Sequence, residues 1–315
     1  MLGLWAAMAA AAISTAQLPA DQEVHIGRGD QALYGALLRP AEAGPAPAAL
    51  LLAGSGASGR DGDEANTPEH AQTLKLLAEA LADQGFASLR IDKRGVAASA
   101  KAAPQPQDLT VGDFVNDAAA WARFLRAQPG VRCVVIIGHS EGALVAALTA
   151  QKVKTCGVVS LSGSALDLGA LIESQNGLAH RSPALIAQIH LIIASLRAGK
   201  PVSDVPPQLA GVFGPQALTY SRSMINIDPV AELAKVKAPV LVIQGDNDLQ
   251  VRVDDARALA AGHPGATLVI VPGMTHVLKI GPTTLAGNFG TYMNPKLPLA
   301  PAVVAAITDF MRARR

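Results

Sequence analysis

The residues best suited to chemistry are Gly138-His139-Ser140-Glu141-Gly142, which fit the pattern G-x-S-x-G. They follow the apolar run 134–137 and precede a helical pattern that begins at Glu141. In a strand-turn-helix setting, the two glycines allow a turn that strains the serine backbone and exposes its hydroxyl. Ser140 is therefore the candidate nucleophile, and an ordinary strand-to-helix turn is the alternative interpretation.

A serine hydroxyl needs a base to accept its proton and an acid to orient that base. His276 is the candidate base, because it follows the last apolar run, residues 266–271, after a short turn. Asp248 follows the apolar run 239–243 and is the candidate acid, with Asp246 as the alternative. Nucleophile, acid and histidine thus occur in an order that this chemistry uses.

The other histidines lack this position after a strand. His139 lies inside the nucleophile turn, where a structural role is favoured. The remaining ones are expected at the surface, in caps or in the insertion described below: His25, His70, His180, His190 and His263.

A glycine-rich turn, residues 54–59, directly follows the apolar run 48–53. Backbone N–H groups in such a turn can donate to the negative charge that develops on an attacked carbonyl. We expect the Ser55 amide, with Gly56 as the alternative, to act together with the Glu141 amide. Phosphate binding is the competing interpretation, which we disfavour because the Lys-Ser/Thr ending of a P-loop is missing.

These turns belong to a regular alternation of apolar runs and helical patterns. A hairpin is predicted over residues 23–28 and 32–39. Strands are predicted at 48–53, 87–91, 131–137, 158–161, 239–243 and 266–271, and helices at 69–83, 111–127, 141–152, 253–261 and 301–314. Continuous apolar strands between amphipathic helices indicate a mostly parallel sheet covered on both faces, so the predicted fold class is α/β.

One interval of about 80 residues, between Leu161 and Val240, breaks this alternation. A structureless loop of that length is improbable in a compact domain. We therefore predict a helical cap insertion over residues 165–236, with helices at 167–176 and 182–198 and a looser, proline-rich helical part at 201–215. Its apolar side chains could line an entrance, although packing is the favoured role: Leu171, Ile172, Leu185, Ile186, Ile189 and Ile193.

Composition narrows the classes of partner. Half of the residues are hydrophobic, so the chain can bury a large core and is not disordered. The 26 basic and 25 acidic residues form no long basic run, which argues against a nucleic-acid partner and leaves a small-molecule substrate. Neither Cys133 nor Cys156 has metal-ligand spacing, and we expect no metal or organic cofactor. The two cysteines could form a disulfide or remain free thiols.

The N-terminal residues have the pattern of a targeting segment. The apolar stretch 2–13 is followed by the small residues Ser14-Thr15-Ala16. This pattern predicts a signal peptide over 1–16, a domain over 17–315 and a periplasmic or secreted location; a packed helix in a cytoplasmic protein is the alternative. The stretch is shorter than the roughly 20 residues that a membrane span needs, so we expect no stable membrane anchor.

Together these motifs resemble the α/β-hydrolase superfamily, specifically its bacterial carboxylesterase and serine-aminopeptidase-like branch. The matching segments are 51–56 with 60–62, 89–95, 138–142, 245–248 and 273–276. The resemblance implies Ser140, Asp248 and His276 as a catalytic triad, with the Ser55 and Glu141 amides as oxyanion donors. It also implies cleavage of carboxylic esters or thioesters through an acyl-serine intermediate.

Two segments bear on how far the resemblance carries. This chain departs from many members of the superfamily, which carry His-Gly before the oxyanion residue, because it has Ala53-Gly54 there. The departure affects the expected geometry of the first oxyanion donor. By similarity, the segment Asp92-Lys93-Arg94-Gly95 is a structural turn rather than a catalytic one.

Other activities remain open at this point. A serine aminopeptidase or amidase is one alternative, and the acidic residues Asp61, Asp63 and Glu64 could then recognise a substrate amine. A solvated loop is the favoured explanation for these three charges. A non-catalytic binding protein with the hydrolase fold is the alternative outside the enzymes, and its signature would be a missing triad residue.

Overall fold

The computed structural model describes residues 20–41, 44–65, 67–103, 105–178 and 181–314, and the predicted signal peptide lies outside this part of the chain. Within it, eight strands form a single sheet in the order β1-β2-β4-β3-β5-β6-β7-β8. The strands are β1 (Gln22–Ile26), β2 (Leu33–Leu38), β3 (Ala46–Leu52), β4 (Ser88–Ile91), β5 (Val131–His139), β6 (Gly157–Leu161), β7 (Val240–Gly245) and β8 (Thr267–Val271).

The strand directions confirm the predicted α/β class. β1 pairs antiparallel with β2, which is the predicted hairpin, and β2 pairs antiparallel with β4. The pairings of β4, β3, β5, β6, β7 and β8 with one another are parallel. The loops that follow β3, β4, β5, β7 and β8 therefore leave the sheet at the same edge.

Helices connect and cover these strands. They are α1 (Thr73–Asp83), α2 (Val111–Arg126), α3 (Glu141–Ala150), α4 (Leu168–Leu178), α5 (Pro183–Arg197), α6 (Ala210–Phe213), α7 (Leu218–Met224), α8 (Pro229–Ala234), α9 (Val253–Gly262), α10 (Leu285–Gly290) and α11 (Pro301–Arg312). Three short helices, α7, α8 and α10, were not predicted from the sequence.

The start of α1 differs from the prediction, which placed it at residue 69. The His70 amide instead donates to the carbonyl of Tyr292, and the Gln72 amide donates to the Asp63 carboxylate. Gln72 also has a left-handed backbone, with a φ of 51°. These distant contacts hold residues 70–72 out of the helix.

The alternation of side chains along β3 shows why the central strands are apolar throughout. Leu50 and Leu52 pack into one buried cluster together with side chains of α2, α3 and α9. Leu51 and Ala53 pack into a second cluster on the opposite face, with side chains of α1 and α11. Burial on both faces requires a hydrophobic residue at every position.

Helices α4 to α8, called the insert below, lie between β6 and β7, in the interval where the sequence predicts a cap. The insert has its own buried cluster, which includes Ile172, Ile189 and Ile193, whereas Leu185 packs at the edge of that cluster. No helix in the described parts of the chain is long and apolar enough to cross a membrane.

Cys133 and Cys156 are joined by a disulfide, with their Cα atoms 5.9 Å apart. Cys133 lies near the start of β5, and Cys156 directly precedes the neighbouring parallel strand β6. Because adjacent strands begin side by side at one edge of the sheet, the two thiols meet. The structure thus selects the disulfide from the two alternatives.

Candidate active site

Ser140 occupies the turn between β5 and α3 in a strained conformation. Its φ is 54° and its ψ is −121°, a backbone conformation that residues other than glycine rarely adopt. The Ser140 amide donates to the carbonyl of Leu161 at 2.8 Å, which ties the turn to β6. The strand-turn-helix context predicted for the candidate nucleophile is therefore present.

The two flanking glycines are required by close backbone contacts. A Cβ at position 138 would lie 2.0 Å from the carbonyl oxygen of Gly142. A Cβ at position 142 would lie 2.5 Å from the carbonyl oxygen of Leu52, at the end of β3. Only glycine fits at either position, so the motif encodes this tight turn directly.

The loops after β7 and β8 bring Asp248 and His276 together. Nδ1 of His276 lies 2.8 Å from Oδ2 of Asp248, and both side chains are buried. The other carboxylate oxygen accepts from the backbone amides of Gln250 and Val251, at 2.8 and 3.0 Å. Burial alone would raise the pKa of Asp248, but His276 and these hydrogen bonds bring that pKa below its ordinary value.

Gln244 also binds the carboxylate of Asp248, and this role was not predicted from the sequence. Its Nε2 donates to Oδ2 of Asp248 at 2.9 Å from a fully buried position at the end of β7. The available signal was an amide side chain directly after the apolar run 240–243. A buried polar side chain needs a partner, and the acid loop supplies it.

Asp246, the alternative acid, has a different task. Its Oδ1 accepts from the backbone amide of Gly273 at 2.6 Å. That contact fastens the turn that leads from β8 to His276. Of the two aspartates, only Asp248 is hydrogen-bonded to the histidine.

The glycine-rich turn after β3 passes directly beside the candidate nucleophile. A Cβ at position 54 would lie 3.2 Å from the Cβ of Ser140. Gly56 adopts a φ of 75°, and a side chain there would collide with the carboxylate of Glu64. Ser55 and Gly56, the expected oxyanion donors, and Glu141 line the same cavity as Ser140.

The spacing of Gly54, Gly56 and Gly59 also fits the G-x-G-x-x-G fingerprint of dinucleotide sites. That fingerprint requires a helix that begins directly at the glycines, so that its amides reach the pyrophosphate. Here α1 begins only at Thr73. The turn therefore lacks the context of a phosphate cradle.

Comparisons with known proteins give one family model and one curated relative. The family model described as serine aminopeptidase, S33, matches residues 67–205. The esterase EstD of Thermotoga maritima is 26% identical over 253 residues, which cover 79% of this chain and 58% of the relative. The chain thus spans little more than half the length of that relative.

Solved structures are similar over nearly the whole chain. Est1E of Butyrivibrio proteoclasticus has a TM-score of 0.56 at 18% identity, covering 93% of this chain and 98% of the other. The Pyrococcus furiosus esterase Pf2001 has a TM-score of 0.57 at 18% identity, covering 99% and 95%. These similarities show that the chain has the α/β-hydrolase fold.

A cavity with a volume of about 650 Å³ lies between Ser140 and the insert. Most of its wall is apolar, with Leu144 contributed by α3 and Leu171 and Ile172 contributed by α4. Of the apolar side chains predicted in the insert, Leu171 and Ile172 therefore face the cavity. Ile189 and Ile193 are buried in packing, which was the favoured role.

His139 holds the turn of the candidate nucleophile to the loop that carries His276. Its Nε2 lies 2.8 Å from the backbone carbonyl oxygen of His276. Since a carbonyl only accepts, Nε2 carries the proton in this bond. Burial, with a smaller contribution from His276, lowers the pKa of His139 to about 4, so the ring is neutral at pH 7. The predicted structural role of His139 takes this specific form.

Lys279 anchors the other side of the histidine loop. Its buried ammonium donates to the carbonyls of Ala71 and Asn294, at 2.7 and 2.6 Å. Burial lowers its pKa to about 8. The Lys279 carbonyl accepts from the Thr275 amide at 2.9 Å, which closes the loop around His276. A lysine between apolar neighbours was the only sequence signal for this anchor.

The acidic residues 61, 63 and 64 separate into different roles. Asp61 pairs with the buried Arg90, and Asp63 accepts from the Gln72 amide at 2.8 Å. Those two carboxylates hold the loop in place. Glu64 instead lines the cavity, with its carboxylate against Gly56.

Proposed function

We propose that this chain is a serine hydrolase that cleaves carboxylic esters, or thioesters, of small molecules. The observation that carries the proposal is the 2.8 Å hydrogen bond from His276 to Asp248. It joins two loops at the sheet edge where Ser140 stands in a strained turn. The relatives named above, which are esterases, support an ester as the substrate class.

Acyl transfer would proceed in two steps. Ser140 Oγ attacks the substrate carbonyl while Nε2 of His276 takes the hydroxyl proton, and Asp248 stabilises the imidazolium. The backbone amides of Ser55 and Glu141 donate to the oxyanion, with Gly56 as the alternative donor. The alcohol or thiol leaves with the proton from His276. Water then releases the acid by the same route.

The cavity supports a largely apolar substrate. A volume of about 650 Å³ is in the range of small-molecule sites, and the wall contains leucines and isoleucines from α3 and α4. Such a wall favours an acyl or alcohol group that is itself apolar. The charged residues of the wall do not lie on the helices of the insert; they are Glu64, Lys93, Arg94 and Glu141.

Labelling with a fluorophosphonate probe tests the proposal. The wild type is expected to be labelled at Ser140 and to hydrolyse short p-nitrophenyl esters. Ser140→Ala is expected to lose both while keeping the same thermal unfolding. Equal labelling and turnover in the two proteins would contradict the proposal, and a folded wild type without either would favour the non-catalytic binding protein.

A serine aminopeptidase is the second candidate, favoured by the family model and by the position of Glu64. A carboxylate in the cavity could pair with a substrate ammonium group. Comparing kcat/KM for p-nitrophenyl esters and for aminoacyl p-nitroanilides separates the candidates. A preference for anilides with a free amine, lost in Glu64→Gln, would replace the esterase assignment.

We also propose that the protein works in the periplasm or outside the cell. The disulfide between Cys133 and Cys156 supports this, because disulfides persist in oxidising compartments and are rare in the cytosol. N-terminal sequencing after expression in a secreting host tests the predicted cleavage after Ala16. A mature protein that still begins at Met1 would contradict it.

A further inference from the structure

The ammonium group of Lys93 is directed at the backbone of the glycine-rich turn. Its Nζ donates to the carbonyl oxygen of Gly54 and, at 3.2 Å, to that of Gly56. Lys93 follows β4, whose carboxyl end lies beside that of β3 in the sheet. The side chain is only 13% exposed, so these contacts are largely shielded from water.

These contacts set the direction of the amides in the turn. In a trans peptide the C=O and the following N–H point in opposite directions. A bond from Lys93 to the carbonyl of Gly54 therefore turns the amide of Ser55 away from Lys93. A hydrogen bond to the carbonyl of Gly56 fixes the peptide between Gly56 and Ala57, which directly follows the alternative donor, the Gly56 amide. One ammonium thus orients the segment that carries the first proposed oxyanion donor.

The same ammonium reaches the residue that supplies the second proposed donor. Nζ of Lys93 lies 3.5 Å from Oε1 of Glu141 and 5.7 Å from the centre of the Phe114 ring. Oε1 of Glu141 also accepts a hydrogen bond of 2.8 Å from the hydroxyl of Tyr220, which belongs to α7 in the insert. Burial and the negative charge of Glu141 raise the pKa of Tyr220 well above its ordinary value.

The neighbours of Lys93 have different contacts. Asp92 accepts from the backbone and the guanidinium of Arg60, and Arg94 pairs with Asp117 of α2. Those two side chains fit the structural role predicted for the turn. Lys93 is the member of this turn that reaches both the glycine-rich segment and the nucleophile turn.

We propose that Lys93 is a positioning residue that aligns the two backbone donors of the oxyanion site. The inference rests on the proposed serine-hydrolase function and deepens it. Donors that are fixed before the reaction stabilise the transition state without reorganisation, so their loss lowers kcat more than it weakens substrate binding. Lys93 itself makes no contact with the reacting atoms in this assignment.

The test compares the wild type with Lys93→Met, which keeps the length of the side chain and removes its donor. We expect kcat for a p-nitrophenyl ester to fall about 10²-fold, the scale of losing one oxyanion donor. KM should stay within about threefold, since ground-state contacts are retained. Affinity for an alkyl boronic acid, which becomes tetrahedral on a serine, should fall in parallel with kcat. Unchanged kcat and boronate affinity would overturn the inference.

Charge neutralisation of Glu141 is the competing role, and a double variant separates it. If Lys93 aligns the carbonyls, Lys93→Met/Glu141→Gln stays as slow as Lys93→Met. Recovery of kcat in the double variant would overturn the inference. Lys101→Met is the matched control, because Lys101 is 82% exposed and pairs with Asp30 on the surface; it should keep the wild-type kcat.

Two further measurements keep the test decisive. Should Lys93→Met fail to fold, Lys93→Leu, which also has no donor, takes its place with the same expectations. Fluorophosphonate labelling of the wild type separates the two proposals: its absence contradicts the hydrolase function itself. Labelling of the wild type together with an unimpaired Lys93 variant contradicts only the role of Lys93.

Discussion

Nε2 of His139 donates a hydrogen bond of 2.8 Å to the backbone carbonyl of His276, across 137 positions of sequence. The residue beside the proposed nucleophile therefore holds the loop that carries the proposed base. Their rings lie close as well, with centres 4.9 Å apart. A second positive charge at this point would oppose the imidazolium that the proposed mechanism forms on His276, and the lowered pKa of His139 prevents it.

Acid pH is expected to destabilise the fold through His139. Its pKa is about 4 in the folded protein against an ordinary 6.5, so the unfolded chain binds the proton first as the pH falls. The free energy of unfolding should drop by up to about 3 kcal/mol between pH 6.5 and 4 from this group. Urea unfolding across that range measures the drop. His139→Gln, which cannot titrate, should lose less; an equal loss in both proteins would contradict the assignment.

Asp248→Asn is expected to lower kcat for an ester by about 10⁴-fold, because an amide no longer holds His276 in the required tautomer. Asp246→Asn is the matched comparison, since it alters the hydrogen bond between Asp246 and Gly273 but leaves the one between Asp248 and His276 intact. The Asp246→Asn variant should lower kcat by less than about tenfold. Steady-state kinetics at pH 7.5 decide between them, and a larger loss in the Asp246 variant would reverse the choice of acid.

Gly138→Ala is expected to destabilise the protein by more than about 3 kcal/mol, because its Cβ would meet the carbonyl of Gly142 at 2.0 Å. Gly290→Ala provides the control. That glycine ends α10 with a φ of −58° and has open space around it. Alanine at this position should leave the free energy of unfolding unchanged or raise it by up to about 1 kcal/mol. Chemical denaturation compares the variants, and a well-folded Gly138→Ala would refute the tight-turn argument.

Reduction of the Cys133–Cys156 disulfide should lower the free energy of unfolding by about 3 kcal/mol, given the 23 positions that separate the cysteines. Thermal unfolding with and without dithiothreitol measures this effect. The double variant Cys133→Ala/Cys156→Ala should show no response to the reductant. A wild type that responds no more than this variant would show that the cross-link contributes nothing.

The prediction of the fold succeeded where local patterns carry the information. Unbroken apolar runs predicted the parallel strands, because a strand buried on both faces must be hydrophobic at each position. The nucleophile turn was equally readable, since Gly138 and Gly142 allow backbone contacts that are too close for any side chain. Short helices such as α7 and α10 were missed because a turn or two of helix carries little periodicity.

What the sequence by itself determined was the chemistry available: a serine in a sharp turn, then an acid and a histidine, each after a strand. Only the tertiary structure decided which side chains meet. It selected Asp248 over Asp246 as the partner of His276, paired the two cysteines, and directed Lys93 to the turn beside Ser140. The physical reason is that a strand or turn is encoded by neighbouring residues, whereas a hydrogen bond between distant loops depends on how the sheet aligns their ends.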